Sequence, residues 1–263
     1  LTFMPPRSFD VPEELKGRAR RQFSGQKLND VMTDMVFRSS RYRQTLFRSL
    51  LDASRANGRK HPVLEDVERQ PLNYGRMLAG CFILGRELVR DTRPAEHVGL
   101  LLPNVNATAI AFFGLQAYGR VPAMLNFSTG IKNLVSCCAS SEIGVVYSSR
   151  RFVEMGRLQE MVTAIEKAGI RVLYLEDLRQ LITLGGKLLG LLASRFPALA
   201  YRLTSKRRDS ASSAVVLYTS GTEGAPKGVV LSHENIQANR YQVASMIDFV
   251  NTLSRKRFRR HRH

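Results

Sequence analysis

The sequence predicts an α/β protein with a mostly parallel sheet and helices on both faces. From His97 onward, short apolar runs rich in Val and Leu alternate with longer segments of helical periodicity, which is the pattern of repeated strand and helix units. The chain has 263 residues, of which 44% are hydrophobic and 24% charged, so it can fill a sizeable core. It has no apolar run of about 18 residues, the length that crosses a bilayer.

The predicted elements can be placed in order. Before the alternating region we expect helical spacing over 29–54, where the apolar positions are Met32, Met35, Val36, Leu46, Leu50 and Leu51, then a short strand near 61–66 and a helix over 74–90. The alternating region predicts strand 98–102, helix 107–118, strand 121–125, helix 130–139, strand 143–148, helix 151–168 and strand 170–175. After it come strands 214–217 and 228–231 and a helix over 233–248 that Ser232 would cap.

Net charge suggests the kind of surface the protein meets. The formal charge is +18, and Arg255–His263 holds six Lys or Arg residues and no acid. The remaining excess is spread along the chain, which suits anionic lipid or an acidic protein at least as well as a DNA groove. The alternative to an enzyme is a basic protein that binds nucleic acid or a membrane surface without ligase activity. Nucleic-acid affinity that survives high salt without the tail would favour the nucleic-acid form of this alternative. The three cysteines, Cys81, Cys137 and Cys138, are expected to be reduced thiols.

Residues 181–193, LITLGGKLLGLLA, form an apolar run that only Lys187 interrupts. The run is too short to span a membrane. A buried helix is the expectation for this run, and an interfacial helix, flanked by Arg179, Arg195, Arg202 and the basic cluster at 206–208, is the alternative.

Residues 213–232 hold the strongest chemical signal. An apolar strand leads into a loop with three glycines, three hydroxyl residues and one lysine, and a second strand follows. Glycine backbone N–H groups, hydroxyls and a cation are the groups that a polyphosphate needs. Pro226 precedes Lys227 and Gly228 follows it, which excludes the GxxxxGK[ST] phosphate loop.

The stretch TSGTEGAPKG at 219–228 resembles the TSG[ST][TS]GxPKG signature of the adenylate-forming synthetases, which include the acyl-CoA ligases. Glu223 departs from the usual Thr or Ser and is similar to the acyl-acyl carrier protein synthetase branch. With LLPN at 101–104 and VPAMLNFS at 121–128, the resemblance narrows to the bifunctional 2-acylglycerophosphoethanolamine acyltransferase/acyl-acyl carrier protein synthetases of Gram-negative bacteria. It covers residues 1 to about 249.

The resemblance implies the N-terminal part of the large domain of an adenylate-forming enzyme, incomplete in this chain. It implies a fatty acid ligase that uses ATP and Mg²⁺, forms acyl-AMP and transfers the acyl group to acyl carrier protein, with a lysophospholipid as the later acceptor. The resemblance also implies that the full-length protein is located at the cytoplasmic face of the bacterial inner membrane. It implies no specific nucleic-acid partner. The implied ATP-phosphate residues are Thr219, Ser220, Gly221, Thr222, Glu223, Gly224 and Lys227.

The same resemblance implies a domain order. Residues 1–28 are expected to be the end of an acyltransferase domain, 29–249 the start of the synthetase domain, and 250–263 a frameshifted, disordered basic tail. The family's later adenine, ribose and lysine motifs are not in this sequence, so no catalytic set is complete and low ligase activity is expected. The acyltransferase HxxxxD would lie before residue 1, so His61 and Asp66, which match its spacing, are not expected to be catalytic.

Overall fold

A computed structural model describes residues 6, 8–66, 69–206, 208–219 and 226–244. The chain divides into two compact units, Leu1–Arg43 with Glu234–His263, and Gln44–His233. In the first unit, helix α1 spans Gly17–Ser39. Residues 233–244 are helical, as far as the described part of that prediction extends. The tail 250–263 lies outside the described residues. Helix α1 runs through the predicted boundary at position 28 without a break. The assignment of 1–28 and 29–249 to two domains stays a prediction.

The second unit contains the predicted sheet. Its elements are α2 (Leu46–Asn57), β1 (Pro62–Leu64), β2 (Leu72–Asn73), α3 (Tyr74–Leu88), β3 (His97–Leu100), α4 (Asn106–Ala117), β4 (Val121–Met124), a 3₁₀ turn (Phe127–Thr129), α5 (Ile131–Ser140), β5 (Val145–Ser148), α6 (Arg150–Met155), α7 (Gln159–Lys167), β6 (Arg171–Tyr174), α8 (Leu175–Leu181), α9 (Leu184–Arg195), α10 (Pro197–Thr204), β7 (Ser213–Thr219) and β8 (Lys227–Ser232). The main sheet has the order β6-β5-β3-β4-β7-β8, and β1 pairs with β2 separately.

Five strands of the main sheet run parallel, and β8 alone is antiparallel to its neighbour β7. Successive residues of β5 point to opposite faces, as strand geometry requires. Val146 belongs to a core with α5 and α7, whereas Val145 and Tyr147 belong to a core with α3, α4 and α8. The predicted α/β class, with a mostly parallel sheet covered on both faces, is therefore confirmed.

Two predicted helices are each broken. The helix expected over 151–168 is divided into α6 and α7, because Arg157 adopts a φ of 51° and the chain turns between Gly156 and Leu158. The helical region expected over 29–54 is interrupted after α1, and α2 starts anew with Thr45 accepting a hydrogen bond from the Arg48 amide. Two short helices, α8 and α10, were not predicted.

Candidate functional site

The strands β7 and β8 form a hairpin that ends at the loop of the phosphate signature. Their pairing runs from Ser213 opposite Ser232 to Thr219 opposite Lys227. Directly opposite residues of an antiparallel pair project on the same face with Cβ atoms about 5 Å apart. Thr219 and Lys227 are both exposed. The structure therefore places one hydroxyl and one cation side by side at the mouth of the loop.

The rest of the predicted phosphate-binding set is in the loop itself. Ser220, Gly221, Thr222, Glu223 and Gly224 lie outside the described residues, so their placement stays a prediction. Pro226, which closes the loop before Lys227, is buried. Of the seven predicted site residues, the structure thus places two, Thr219 and Lys227, and it places them as neighbours.

Gly228 and Tyr218 form the pair directly below Thr219 and Lys227. The Tyr218 hydroxyl donates a hydrogen bond to Ser141 Oγ at 2.8 Å. A Cβ atom on Gly228 would lie 3.1 Å from Ser141 Oγ and 3.2 Å from the Tyr218 ring, closer than most side-chain contacts allow. The last glycine of the signature therefore leaves room for a tyrosine that ties the hairpin to the end of α5.

Burial raises the pKa of Tyr218 to about 12, although the hydrogen bond to Ser141 opposes this shift. The phenol is therefore protonated at neutral pH and remains a donor. Neither Tyr218 nor Ser141 was singled out from the sequence. The only signal was the position of Tyr218, directly before the TSG of the signature.

A second supporting contact holds the start of the hairpin. Gln116, buried in α4, donates from Nε2 to the carbonyl oxygen of Ala214 at 3.0 Å. Sequence reasoning missed this residue as well. A signal was present, because Gln116 is a long polar side chain in the otherwise apolar C-terminal half of α4.

Three segments quoted for the resemblance meet at one edge of the sheet. LLPN follows β3, LNFS follows β4, and the signature begins at Thr219, the last residue of β7. These strands are neighbours, and Ala123 of β4 pairs with Val216 of β7, which sets Asn126 at the level of Thr219. In parallel sheets ligands bind beyond the carboxyl ends of the strands. The geometry therefore supports a ligand site at this edge.

Asn126 builds the turn beside the loop rather than projecting as a free ligand. Its Oδ1 accepts hydrogen bonds from the Ser128 amide at 3.0 Å and from Ser128 Oγ at 2.9 Å. The Thr129 hydroxyl also bonds to the Asn126 carbonyl oxygen at 2.8 Å. The turn that follows β4 is therefore held by its own side chains, independently of any bound molecule.

The HxxxxD pair has structural roles. His61 is exposed and stacks on Tyr74, with ring centroids 6.2 Å apart. Asp66 Oδ2 accepts a hydrogen bond at 3.3 Å from the backbone amide of Asn106, at the start of α4. These contacts involve a helix terminus and a ring stack, and the expectation that the pair is not catalytic stays a prediction.

The cavity and the cysteines are not part of the hairpin site: the cavity lies at the opposite end of the strands, and the cysteines are buried. An open cavity of about 720 Å³ lies beside residues 90–96, Glu142 and Gly144, which precede β3 and β5, so it faces the amino ends of the strands. Among the described residues, no cluster of three or more His, Cys, Asp or Glu side chains could hold a metal ion. The three cysteines are free and buried, and burial raises the pKa of Cys138 to about 12. No helix in the described ranges is long and apolar enough to cross a membrane.

The structure shows an α/β fold with a mostly parallel sheet, and comparison with known proteins gives the family. A sequence profile of the AMP-binding enzyme family matches residues 51–257, well over half of the chain. The protein therefore belongs to the AMP-binding enzyme family.

Solved structures show the same fold at low sequence identity. VinN is 19% identical, with a TM-score of 0.60 over 78% of this chain and 50% of VinN. ATP-bound MatB from Rhodopseudomonas palustris is 19% identical, with a TM-score of 0.56 over 74% of this chain and 36% of MatB. O-succinylbenzoate coenzyme A synthetase from Bacillus subtilis, in complex with AMP, is 15% identical, with a TM-score of 0.53 over 72% of this chain and 42% of the synthetase. The chain thus spans half or less of each of these proteins.

Proposed function

We propose that this chain carries the phosphate-binding part of a ligase that activates a fatty acid with ATP through acyl-AMP. The observation that carries the proposal is the paired Thr219 and Lys227 at the carboxyl edge of the sheet, flanking the loop of the TSGTEGAPKG signature. Membership of the AMP-binding enzyme family supports ATP as the substrate. MatB, whose ATP-bound form shares the fold, supports it further.

In the proposed reaction, a carboxylate oxygen of the fatty acid attacks the α-phosphorus of ATP. The bond to the bridging oxygen breaks, and pyrophosphate leaves with the electron pair. Lys227, the hydroxyls of Thr219, Ser220 and Thr222, and the backbone N–H groups of Gly221 and Gly224 would hold the phosphates in line and offset the developing charge.

The two described residues of the site fit an anionic phosphate, because Thr219 offers a hydroxyl and Lys227 an exposed cation. Mg²⁺ would neutralise phosphate charge, and its hard-oxygen preference matches a carboxylate such as Glu223 and the hydroxyl of Thr222. The chain's own contribution would be to keep these oxygens beside the phosphates, with Tyr218 and Gly228 fixing the loop's two ends.

The acceptor in the proposal is the thiol of acyl carrier protein, which attacks the acyl carbon and releases AMP. The similarity of Glu223 to the acyl-acyl carrier protein synthetase branch supports this acceptor, and the net charge of +18 suits an acidic partner protein. Residues 29–249 would be the start of the synthetase domain, in a protein that reacylates lysophosphatidylethanolamine at the inner membrane. The basic run that supports the nucleic-acid alternative lies outside the described residues.

The test is ATP binding measured by calorimetry in the presence of Mg²⁺, with Lys227→Ala compared with Lys167→Ala. Both lysines are exposed, but Lys167 ends α7 and is not part of the hairpin. Loss of a charge-assisted contact is expected to raise the Kd of Lys227→Ala about tenfold or more. The control should bind like the wild type. Equal affinity in all three proteins would refute the phosphate role of Lys227.

The fatty acid is tested separately with non-hydrolysable acyl-AMP mimics. A long-chain acyl sulfamoyl-adenosine is expected to raise the melting temperature of the protein more than a short or aromatic acyl analogue. The opposite ranking would remove the fatty acid from the proposal and leave the ATP role intact.

A further inference from the structure

Helix α9 exposes its largest apolar side chains. Leu184 and Leu188 are 78% and 66% exposed, whereas a helix on a water-facing surface normally turns such residues inward. Three more leucines of α9 are also exposed: Leu189, Leu191 and Leu192. The apolar face of α9 therefore points away from the core.

The buried face of α9 consists of small residues. Gly186, Gly190 and Ser194, each four positions apart, are buried, and α9 packs against α3. A Cβ atom on Gly190 would lie 3.1 Å from Ile83 Cα and closer still to the Ile83 side chain. The gap between the two helices therefore admits glycine but has no room for leucine, so α9 cannot rotate to bury its leucines.

Polar contacts fix this orientation. At the C-terminal end of α9, the Arg59 guanidinium donates to the carbonyl oxygen of Ser194 and, at 3.4 Å, to Ser194 Oγ. At the N-terminal end, Thr183 Oγ1 accepts a hydrogen bond from the Gly186 amide at 3.1 Å. Both ends of the helix are anchored while the leucines face outward.

The apolar surface continues onto α10. Tyr201 anchors α10 by a 3.0 Å hydrogen bond to Thr45, and the hydroxyl of Thr204 bonds to the Ala117 carbonyl oxygen at 2.7 Å. The outer side of this segment is apolar and exposed. We call the following set the leucine surface: Leu181, Leu184, Leu188, Leu189, Leu191, Leu192, Phe196, Leu199 and Leu203.

The basic residues around the leucine surface indicate an anionic partner. Between Asp177 and Asp209 the chain holds seven Lys or Arg residues and no acid. Three of the basic residues, Lys187, Arg195 and Arg202, are exposed on α9 and α10 themselves. Exposed apolar side chains flanked by basic residues are typical of helices that lie in the interface of an anionic bilayer.

The length of α9 suits the same partner. At 12 residues α9 is about 18 Å long, too short to span the bilayer but suited to lie in its interface.

We propose that the leucine surface of α9 and α10 docks on a membrane rich in anionic phospholipid, with the leucines in the acyl boundary and the basic residues at the headgroups. This inference deepens the membrane location in the proposed function by naming the surface that makes contact. Its measurement does not involve ATP, so the two proposals can fail independently.

The chain has no tryptophan, so one introduced tryptophan reports on one position. Leu188→Trp places the reporter on the leucine surface, and Met155→Trp is the matched control, because Met155 is 74% exposed at the end of α6. With vesicles of phosphatidylcholine and phosphatidylglycerol in equal parts, the Leu188→Trp emission is expected to shift to the blue and to be quenched by brominated acyl chains. Met155→Trp should show neither change.

A second pair of variants tests the energetics. Leu188→Glu with Leu192→Glu is expected to lower vesicle partitioning at least about tenfold, since two apolar side chains lose their acyl contact. Met155→Glu with Gln159→Glu makes the same charge change at exposed sites and should bind vesicles like the wild type. Pure phosphatidylcholine vesicles are expected to bind less protein.

Two results would overturn the proposal. One is an unchanged Leu188→Trp spectrum with anionic vesicles. The other is a leucine-dependent dimer, detected by analytical ultracentrifugation, that does not bind vesicles. The second result would assign the leucine surface to contact between two copies of the chain.

Discussion

Helices α7 and α9 are both short surface helices, yet they use their apolar residues in opposite ways. α7 buries Met161, Val162 and Ile165 in the core beside α5 and the sheet. α9 buries glycine and serine against α3 and exposes leucine. The difference arises from the space each neighbour offers. An amphipathic pattern shows that one face of a helix is apolar. Whether that face is buried depends on the space between the helix and the element on which it packs.

Truncating a core residue of α7 should give the largest difference in stability between the two helices. Ile165→Ala removes a side chain with no exposed surface and is expected to lower the free energy of unfolding by about 2–5 kcal/mol. Leu188→Ala, on the exposed face of α9, should stay within about 0.5 kcal/mol of the wild type. Urea denaturation measures both, and a similar loss in the two variants would contradict the assigned orientation of α9.

Adding one methyl group to α9 gives the next largest effect. Gly190→Ala is expected to cost about 1–3 kcal/mol, because its Cβ would collide with Ile83 despite the better helix propensity of alanine. Gly185→Ala is the control, since its Cβ would meet only Thr183 Oγ1 at 4.0 Å. It should stabilise the protein by up to about 1 kcal/mol. Stabilisation by both substitutions would show that the α3 and α9 contact is looser than described.

The smallest change in the free energy of unfolding is expected at the hairpin. There the absence of a side chain on Gly228 leaves space for the Tyr218 ring. Tyr218→Phe should cost about 1 kcal/mol at neutral pH through loss of the hydrogen bond to Ser141. Burial raises the pKa of Tyr218 to about 12, from about 10 in the unfolded chain. The stability from the buried neutral phenol is therefore complete below pH 10 and lost between about pH 10 and 12.

The unfolding free energies of wild type and Tyr218→Phe, measured across this alkaline range, test the assignment. The difference between them should shrink from about pH 10 to 12, because only the wild type carries the phenol at this position. A difference that stays constant with pH would mean that Tyr218 ionises as readily in the folded protein as in the unfolded chain.

Much of the fold could be predicted because the signals were local. Each strand from β3 to β6 is a short apolar run, and each connecting segment has helical periodicity. The break at Arg157 was not predictable in this way, because 151–168 keeps an apolar period through the turn and only the folded chain shows the positive φ. The helix α10 was missed because its buried residues, such as Tyr201, depend on contacts with distant segments.

The candidate site also has a part that was visible in the sequence and a part that was not. The resemblance of the signature implied Thr219 and Lys227, and their pairing became visible only in the hairpin. The supporting contacts join residues far apart in the chain: Tyr218 reaches Ser141 across 77 positions, and Gln116 reaches Ala214 across 98. Pairings of this kind follow from strand order, which no local pattern specifies.

The α/β class, the hairpin and the signature could be recognised in the sequence, because periodicity, glycine placement and hydroxyl content act over a few neighbouring residues. The folded structure was needed to show that β7 lies beside β4, that Tyr218 ties the hairpin to Ser141, and that α9 turns its leucines outward. These outcomes depend on which surfaces fit together across the fold, and Gly190 against Ile83 shows that a single Cβ atom can decide the fit.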